Sequence, residues 1–143
     1  MKVYVATSWK NAYQPDVVVG LRSLDHEVYD FRNPVPGNAG FNWRAVNPIY
    51  QSWDVEAYLA GLAHPVAIRG FKLDMDALLW CEACVLVLPC GRSAHLEAGW
   101  AAGAGKKLVI YLPEYDTPEL MYLIAADIVT TLSAVDEALR RQG

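Results

Sequence analysis

Apolar positions in this chain follow two periods that alternate from one end to the other. A β-branched and aromatic run, Lys2 to Ala6, opens the sequence and gives way to the polar "TSWKN", which predicts a first, central strand. Val17, Val18, Leu21 and Leu24 then recur at helical spacing, and "HEVYDF" alternates as a second strand before "NPVPGNAG" breaks the chain. A short helix is expected over Val55 to Ala63, ended by His64-Pro65, and another from Leu73 through Trp80 with Asp74 as its N-cap.

"ACVLVLP" and "KLVIYLP" are continuous apolar runs, the pattern of strands covered by helices on both faces. Between them a helix of small residues runs from Ser93 to Ala104 and stops at Gly105. A helical segment near Glu119 to Ala125, a weak strand in "DIVTTL" and a closing helix over Ser133 to Arg141 complete the series.

Strands alternating with helices predict an α/β fold in one domain spanning residues 1–143. The expected form is a doubly wound, flavodoxin- or Rossmann-like parallel sheet of five strands in the order 2-1-3-4-5, with helices on both faces. In such a sheet the ligand crevice lies outside the carboxyl ends of the strands where the winding reverses, between the first and third. "VYVATSWKN" and "LPCGRSAHLE" border it.

Composition narrows the function classes. A net charge of -4 without acidic or basic blocks gives no footprint for the phosphate backbone of a nucleic acid. No apolar run reaches the roughly 18 residues of a membrane span, and the N-terminus lacks the long apolar region of a secretory signal, so a cytoplasmic location is expected. Three cysteines, an odd number, suit reduced thiols. Cys81 and Cys84 form a C-x-x-C, but no further ligands stand at metal-site spacing, so buried inert thiols are expected and neither metal nor organic cofactor is called for.

Residues 33–53 mix Pro, Gly and Asn with Phe41, Trp43, Ile49, Tyr50 and Trp53. Such a segment is either a lid or substrate wall, or a loop folded over its own small core.

The candidate chemistry centres on Glu97. It is expected in the first turn or so of the helix beginning near Ser93, where acids are favoured by free backbone N–H groups and the helix dipole. Its neighbours Ala94, Leu96, Ala98, Gly99 and Trp100 would nonetheless wall it with apolar groups, and a poorly hydrated carboxylate at a ligand crevice is a candidate nucleophile. Asp76 is left for other duty if Asp74 caps the helix before the third strand. Tyr4 stands near the carboxyl end of the first strand, as a half-buried aromatic or with its hydroxyl reaching across the crevice. Ser8, Trp9, Lys10 and Asn11 form the next loop, where Trp9 offers a flat apolar wall. Lys10 and Arg92 are phosphate contacts or solvated surface charges.

Tyr4 followed by "ATSW", Asp76 ahead of a buried strand, and "GRSAHLEAGWAAGAGKK" with its E-x-G-x-A core at Glu97, Gly99 and Ala101 resemble the nucleoside 2-deoxyribosyltransferase family. That family includes the deoxynucleoside 5′-monophosphate N-glycosidases. The resemblance implies that Glu97 attacks the anomeric carbon of a deoxynucleoside, that Asp76 hydrogen-bonds or protonates the departing base, and that Tyr4 orients Glu97. It further implies a substrate-binding set of Thr7, Ser8, Trp9, Lys10, Gly91, Arg92 and Ser93, completed in a homo-oligomer by Glu119 and Tyr122 of a neighbouring subunit. At the place of a phosphate-binding serine this sequence has Glu119, which implies neutral nucleosides as substrates in preference to 5′-monophosphates.

Two other readings stand beside this one. A phosphoribohydrolase of the lysine-decarboxylase-like kind would carry P-G-G-x-G-T before its glutamate, where this chain has "PCGRSAHLE". A non-catalytic nucleotide-binding module of the same fold would tolerate loss of Glu97.

Overall fold

A computed structural model describes residues 1–142. In chain order the elements are β1 (Lys2–Ala6), α1 (Gln14–Ser23), β2 (Glu27–Tyr29), α2 (Val55–Leu62), α3 (Pro65–Trp80), β3 (Ala83–Val87), α4 (Arg92–Gly103), β4 (Lys107–Tyr111), β5 (Asp127–Val129) and α5 (Leu132–Arg140). Short 3-10 turns occupy Trp43–Ala45, Tyr50–Ser52 and Leu120–Ile124. The chain divides into two compact units, one made of Met1–Asp30 with the chain from Trp80 onward, the other of Phe31–Leu79.

The first unit holds the sheet. Its five strands are all parallel and lie in the order β2-β1-β3-β4-β5, as the alternation of strand and helix patterns requires. On one face Val3, Val5, Val85, Val87 and Val109 meet Val17, Val18 and Leu21 of α1 and Val135, Ala138 and Leu139 of α5. Full burial of each valine or leucine side chain among these stabilises the fold by about 1.5–3 kcal/mol. Pleating sends the alternate residues Tyr4, Ala6, Cys84, Leu86, Leu108 and Ile110 to the other face, where all are buried. There α4 lies on β1, β3 and β4 through Ala94, Ala98 and Ala101, small residues at helical spacing that allow a close approach. Gly105, at φ +79°, takes the left-handed conformation that turns the chain from α4 into β4.

The second unit corrects the helical reading of residues 65–80. One helix begins at Pro65 and runs to Trp80, so Asp74 lies inside it and caps nothing, and Asp76 does not begin a helix. Pro65 at the first helical position needs no amide partner, and the His64 ring accepts from the Val66 amide at 3.1 Å. Gly70 obscures the pattern in sequence because glycine is a poor helix former. Its value is space, since a Cβ there would lie 3.0 Å from the Phe41 ring. Gly61 of α2 makes a similar notch, in which a Cβ would meet the Trp53 ring at 2.3 Å. Phe41, Trp43, Trp53 and Tyr50 stack edge to face in series, with centroids 4.8, 6.1 and 6.4 Å apart. The aromatic segment is therefore folded over its own small core, seated on two helical glycines.

Candidate active site

The carboxyl ends of β1 and β3 are tied together by side chains. Thr7 donates its hydroxyl to the Val87 carbonyl at 2.7 Å, and the Asn11 amide donates to the Pro89 carbonyl at 3.0 Å. Asn11 also accepts from the Tyr13 and Gln14 amides at 2.8 and 3.0 Å, so it starts α1 while holding the β3 loop. Gln14, itself buried, donates to Asp30 at 2.7 Å. Thr7 is thus part of the frame. Ser8 is half-buried, while Trp9 and Lys10 are exposed on the loop that follows.

Glu97 is the sixth residue of α4, so it lies beyond the first turn, which contains no acid. The expected help from end-of-helix N–H groups therefore does not apply. Its position instead places it three residues after Ala94 and four before Ala101, on the stripe that faces the sheet. The side chain is half-buried there. Below it, Tyr4 and Cys84 are register partners on β1 and β3, both fully buried, and the Tyr4 ring stacks on Tyr29 at 5.2 Å. Burial pushes the Cys84 thiol well up, and the Cys81 thiol and the Glu97 carboxylate push it further. Cys81 is likewise raised, mainly by burial, so both thiols of the C-x-x-C are held protonated. Among the described residues no group of three or more His, Cys, Asp or Glu side chains is placed to hold a metal ion.

At the opening of α4, Gly91, Arg92 and Ser93 are exposed. Behind them lies a cluster the sequence did not announce. His95 Nδ1 is 2.7 Å from the Gly91 carbonyl, which can only accept, so Nδ1 carries a proton, and Nε2 lies 2.9 Å from the Tyr122 hydroxyl in hydrogen-bond contact. The two rings stack with centroids 5.7 Å apart. Cys90 Sγ is 3.7 Å from Nδ1, but the ring proton is directed at Gly91, and burial, then Asp116, then Glu97 push the thiol up to about 12. Burial and then Cys90, Asp116 and Glu119 raise Tyr122 in the same way. Glu119 is exposed and accepts from the Met121 amide at 3.1 Å, capping the 3-10 turn. Tyr122, expected to serve a neighbouring subunit, is engaged by His95 of its own chain. Only the presence of a histidine two residues before Glu97 could have pointed to this cluster.

Asp76 belongs to the second unit, where it is exposed and pairs with Lys72 at 2.6 Å, one helical turn back. With Lys72, Arg69, Phe41, Val66 and Leu73 it lines a cavity of about 430 Å³. That size lies within the usual range of small-molecule sites. Its lining combines the Phe41 ring, the Arg69 cation and the Lys72–Asp76 pair. No helix among the described residues is long and apolar enough to cross a membrane.

No protein-family model and no curated protein matches the chain. Solved structures do. A 2-deoxyribosyltransferase from the psychrotolerant bacterium Bacillus psychrosaccharolyticus superposes with a TM-score of 0.64 at 18% identity, over 95% of this chain and 90% of that one. The chain shares its fold with that enzyme. A CMP N-glycosidase from Clostridium botulinum is also similar, with a TM-score of 0.51 at 17% identity over 99% of this chain and all of that one. The fold expected from the sequence, including its strand order, is the fold observed.

Proposed function

We propose that this protein cleaves the N-glycosidic bond of 2′-deoxynucleosides and passes the sugar to a second nucleobase or to water. The observation that carries this reading is the position of Glu97, a half-buried carboxylate on the sheet-facing stripe of α4, in a fold shared nearly end to end with a 2-deoxyribosyltransferase. In the first step a Glu97 oxygen bonds to C1′ as the C1′–N bond breaks, the bonding pair leaves with the base, and a glycosyl ester forms. Asp76 hydrogen-bonds or protonates the departing base, and Tyr4 orients the nucleophile from the same sheet face. In the second step a base nitrogen or a water oxygen takes C1′ and Glu97 leaves as carboxylate.

Neutral nucleosides are the favoured substrates. Asp116 and Glu97 act on Cys90 and Asp116 and Glu119 on Tyr122, beside the opening of α4, and a doubly charged phosphate would meet that negative field unfavourably. Thr7, Ser8, Trp9, Lys10, Gly91, Arg92 and Ser93 surround the sugar in this reading, and no cofactor takes part. Leu120, Met121 and Leu123 are 76, 60 and 77% exposed, which supports a homo-oligomer that covers them and brings Glu119 to a neighbour's pocket. Reduced, protonated thiols suit a cytoplasmic enzyme.

The test is incubation with a panel of deoxynucleosides, their monophosphates and free bases, followed by chromatography. Base release with exchange marks a transferase, and release alone a hydrolase. Absence of both across the panel at high enzyme concentration overturns the reading.

A further inference from the structure

The helix that carries Glu97 starts without an ordinary cap. Gly91 at the N-cap position has no side chain to accept from the first amides, and the backbone bond that should close the first turn, from the His95 amide to the Gly91 carbonyl, is long at 3.4 Å. The same carbonyl receives the His95 ring proton at 2.7 Å, so the ring does what the backbone does poorly. Its other nitrogen is held by the Tyr122 hydroxyl at 2.9 Å with the rings stacked. Tyr122 sits in the Leu120–Ile124 turn, which is anchored to the sheet just beyond, where the Ala126 amide donates to the Leu108 carbonyl at 2.8 Å. Two hydrogen bonds in series therefore run from the β4–β5 connection through His95 to the residue that opens α4.

We propose that His95 and Tyr122 form a clamp that sets the position of the opening turn of α4, and through it the attack geometry of Glu97. Both are positioning residues for the cleavage proposed above, on which their kinetic role rests. Neither is placed to pass a proton to the substrate, because the Nδ1 proton is held by Gly91 and Nε2 and the Tyr122 hydroxyl are engaged with each other. A simple N-cap side chain would close the turn without reference to the rest of the fold. The clamp instead ties the nucleophile's helix to the segment 120–124, whose Leu120, Met121 and Leu123 face outward. Whatever covers that segment is thereby connected to residue 97. Tyr122 thus works on His95 of its own chain.

Two measurements test the clamp, one of them independent of catalysis. Nitrogen NMR of His95 should show a proton on Nδ1, and Tyr122→Phe, which keeps the stacked ring and removes only the hydroxyl, should shift the Nε2 resonance, loosen the ring and speed exchange of the His95 amide, the first hydrogen-bonded amide of α4. In kinetics on fully folded protein, Tyr122→Phe should lower kcat about tenfold with KM within about twofold, since small displacements of a reacting group are costly. His95→Ala should do the same, and the double variant should lose little more than either single one, as residues acting in series do. An Nε2–H tautomer in the native protein, or additive kinetic losses, overturns the proposal. If the native protein releases no base, the functional reading fails, and the tautomer and exchange data alone decide the clamp.

Discussion

The Glu97 carboxylate lies within electrostatic reach of the buried Cys84 thiol and, after burial and Cys81, is among the groups that keep that thiol protonated. A carboxylate half-buried against a sheet carries a desolvation cost that the neighbouring small residues Ala94, Ala98 and Ala101 do not. Such local inconsistency is characteristic of functional sites. Glu97→Gln, which keeps the size of the side chain, should cut base release by about 10³-fold or more without unfolding the protein. Chromatography of product and a thermal melt on the same preparation check this; activity within tenfold of native removes Glu97 as nucleophile.

Asp76 separates stability from catalysis cleanly. Its pair with Lys72 is an exposed contact between side chains one turn apart, worth about 0.3–0.5 kcal/mol at most. Asp76→Asn should leave the unfolding midpoint in urea nearly unchanged. In the proposed role of assisting the departing base, its loss should cost about 10²–10⁴ in kcat, with the smallest loss for bases that leave readily as anions.

Cys90 has a pH signature. Burial, Asp116 and Glu97 raise its thiol from 9.0 to about 12 in the folded protein. Because the folded state holds that proton more tightly than the unfolded chain, the contribution to stability is intact below pH 9.0 and is lost as pH climbs toward about 12. At pH 8 iodoacetamide should leave Cys90 largely unmodified in the native protein, whereas the unfolded chain takes up label at all three cysteines. Cys90→Ser should flatten the fall in stability at alkaline pH.

Two glycines in helices should respond oppositely to alanine. At Gly103 nothing lies within 4 Å of an added Cβ, so Gly103→Ala should stabilise by about 0.5–1 kcal/mol through the unfolded chain. At Gly61 the added atom meets the Trp53 ring at 2.3 Å, and that ring is hemmed by Trp43 and Tyr50. Overpacking should outweigh the gain in helix propensity, for a net loss of about 1–3 kcal/mol and a change in tryptophan emission.

The sheet was legible because strands buried on both faces must be apolar throughout, and "ACVLVLP" and "KLVIYLP" leave no other reading. Helix α3 was legible only in its second half. Pro65 and Gly70 lower helical propensity in the first half, and they are tolerated because the proline opens the helix and the glycine makes room for Phe41. Glu97 stands out in sequence as an acid among small apolar residues, although local pattern does not fix where α4 begins and so which turn Glu97 occupies. Asn11 and His95 were not assigned their roles, since their hydrogen-bond partners at Pro89 and Tyr122 are 78 and 27 residues away in the chain.

Local chemistry alone thus determined the alternation of strands and helices, the parallel sheet and its order, and the one acid out of place on α4. Those properties depend on periodicity, burial and chain handedness, which neighbouring residues carry between them. Only the tertiary structure decided that Glu97 faces the sheet over Cys84, that Asp76 lines a cavity beside Phe41, and that Tyr122 holds His95. Each of these is a meeting of residues distant in the chain or a matter of where a helix begins, and both are settled by packing.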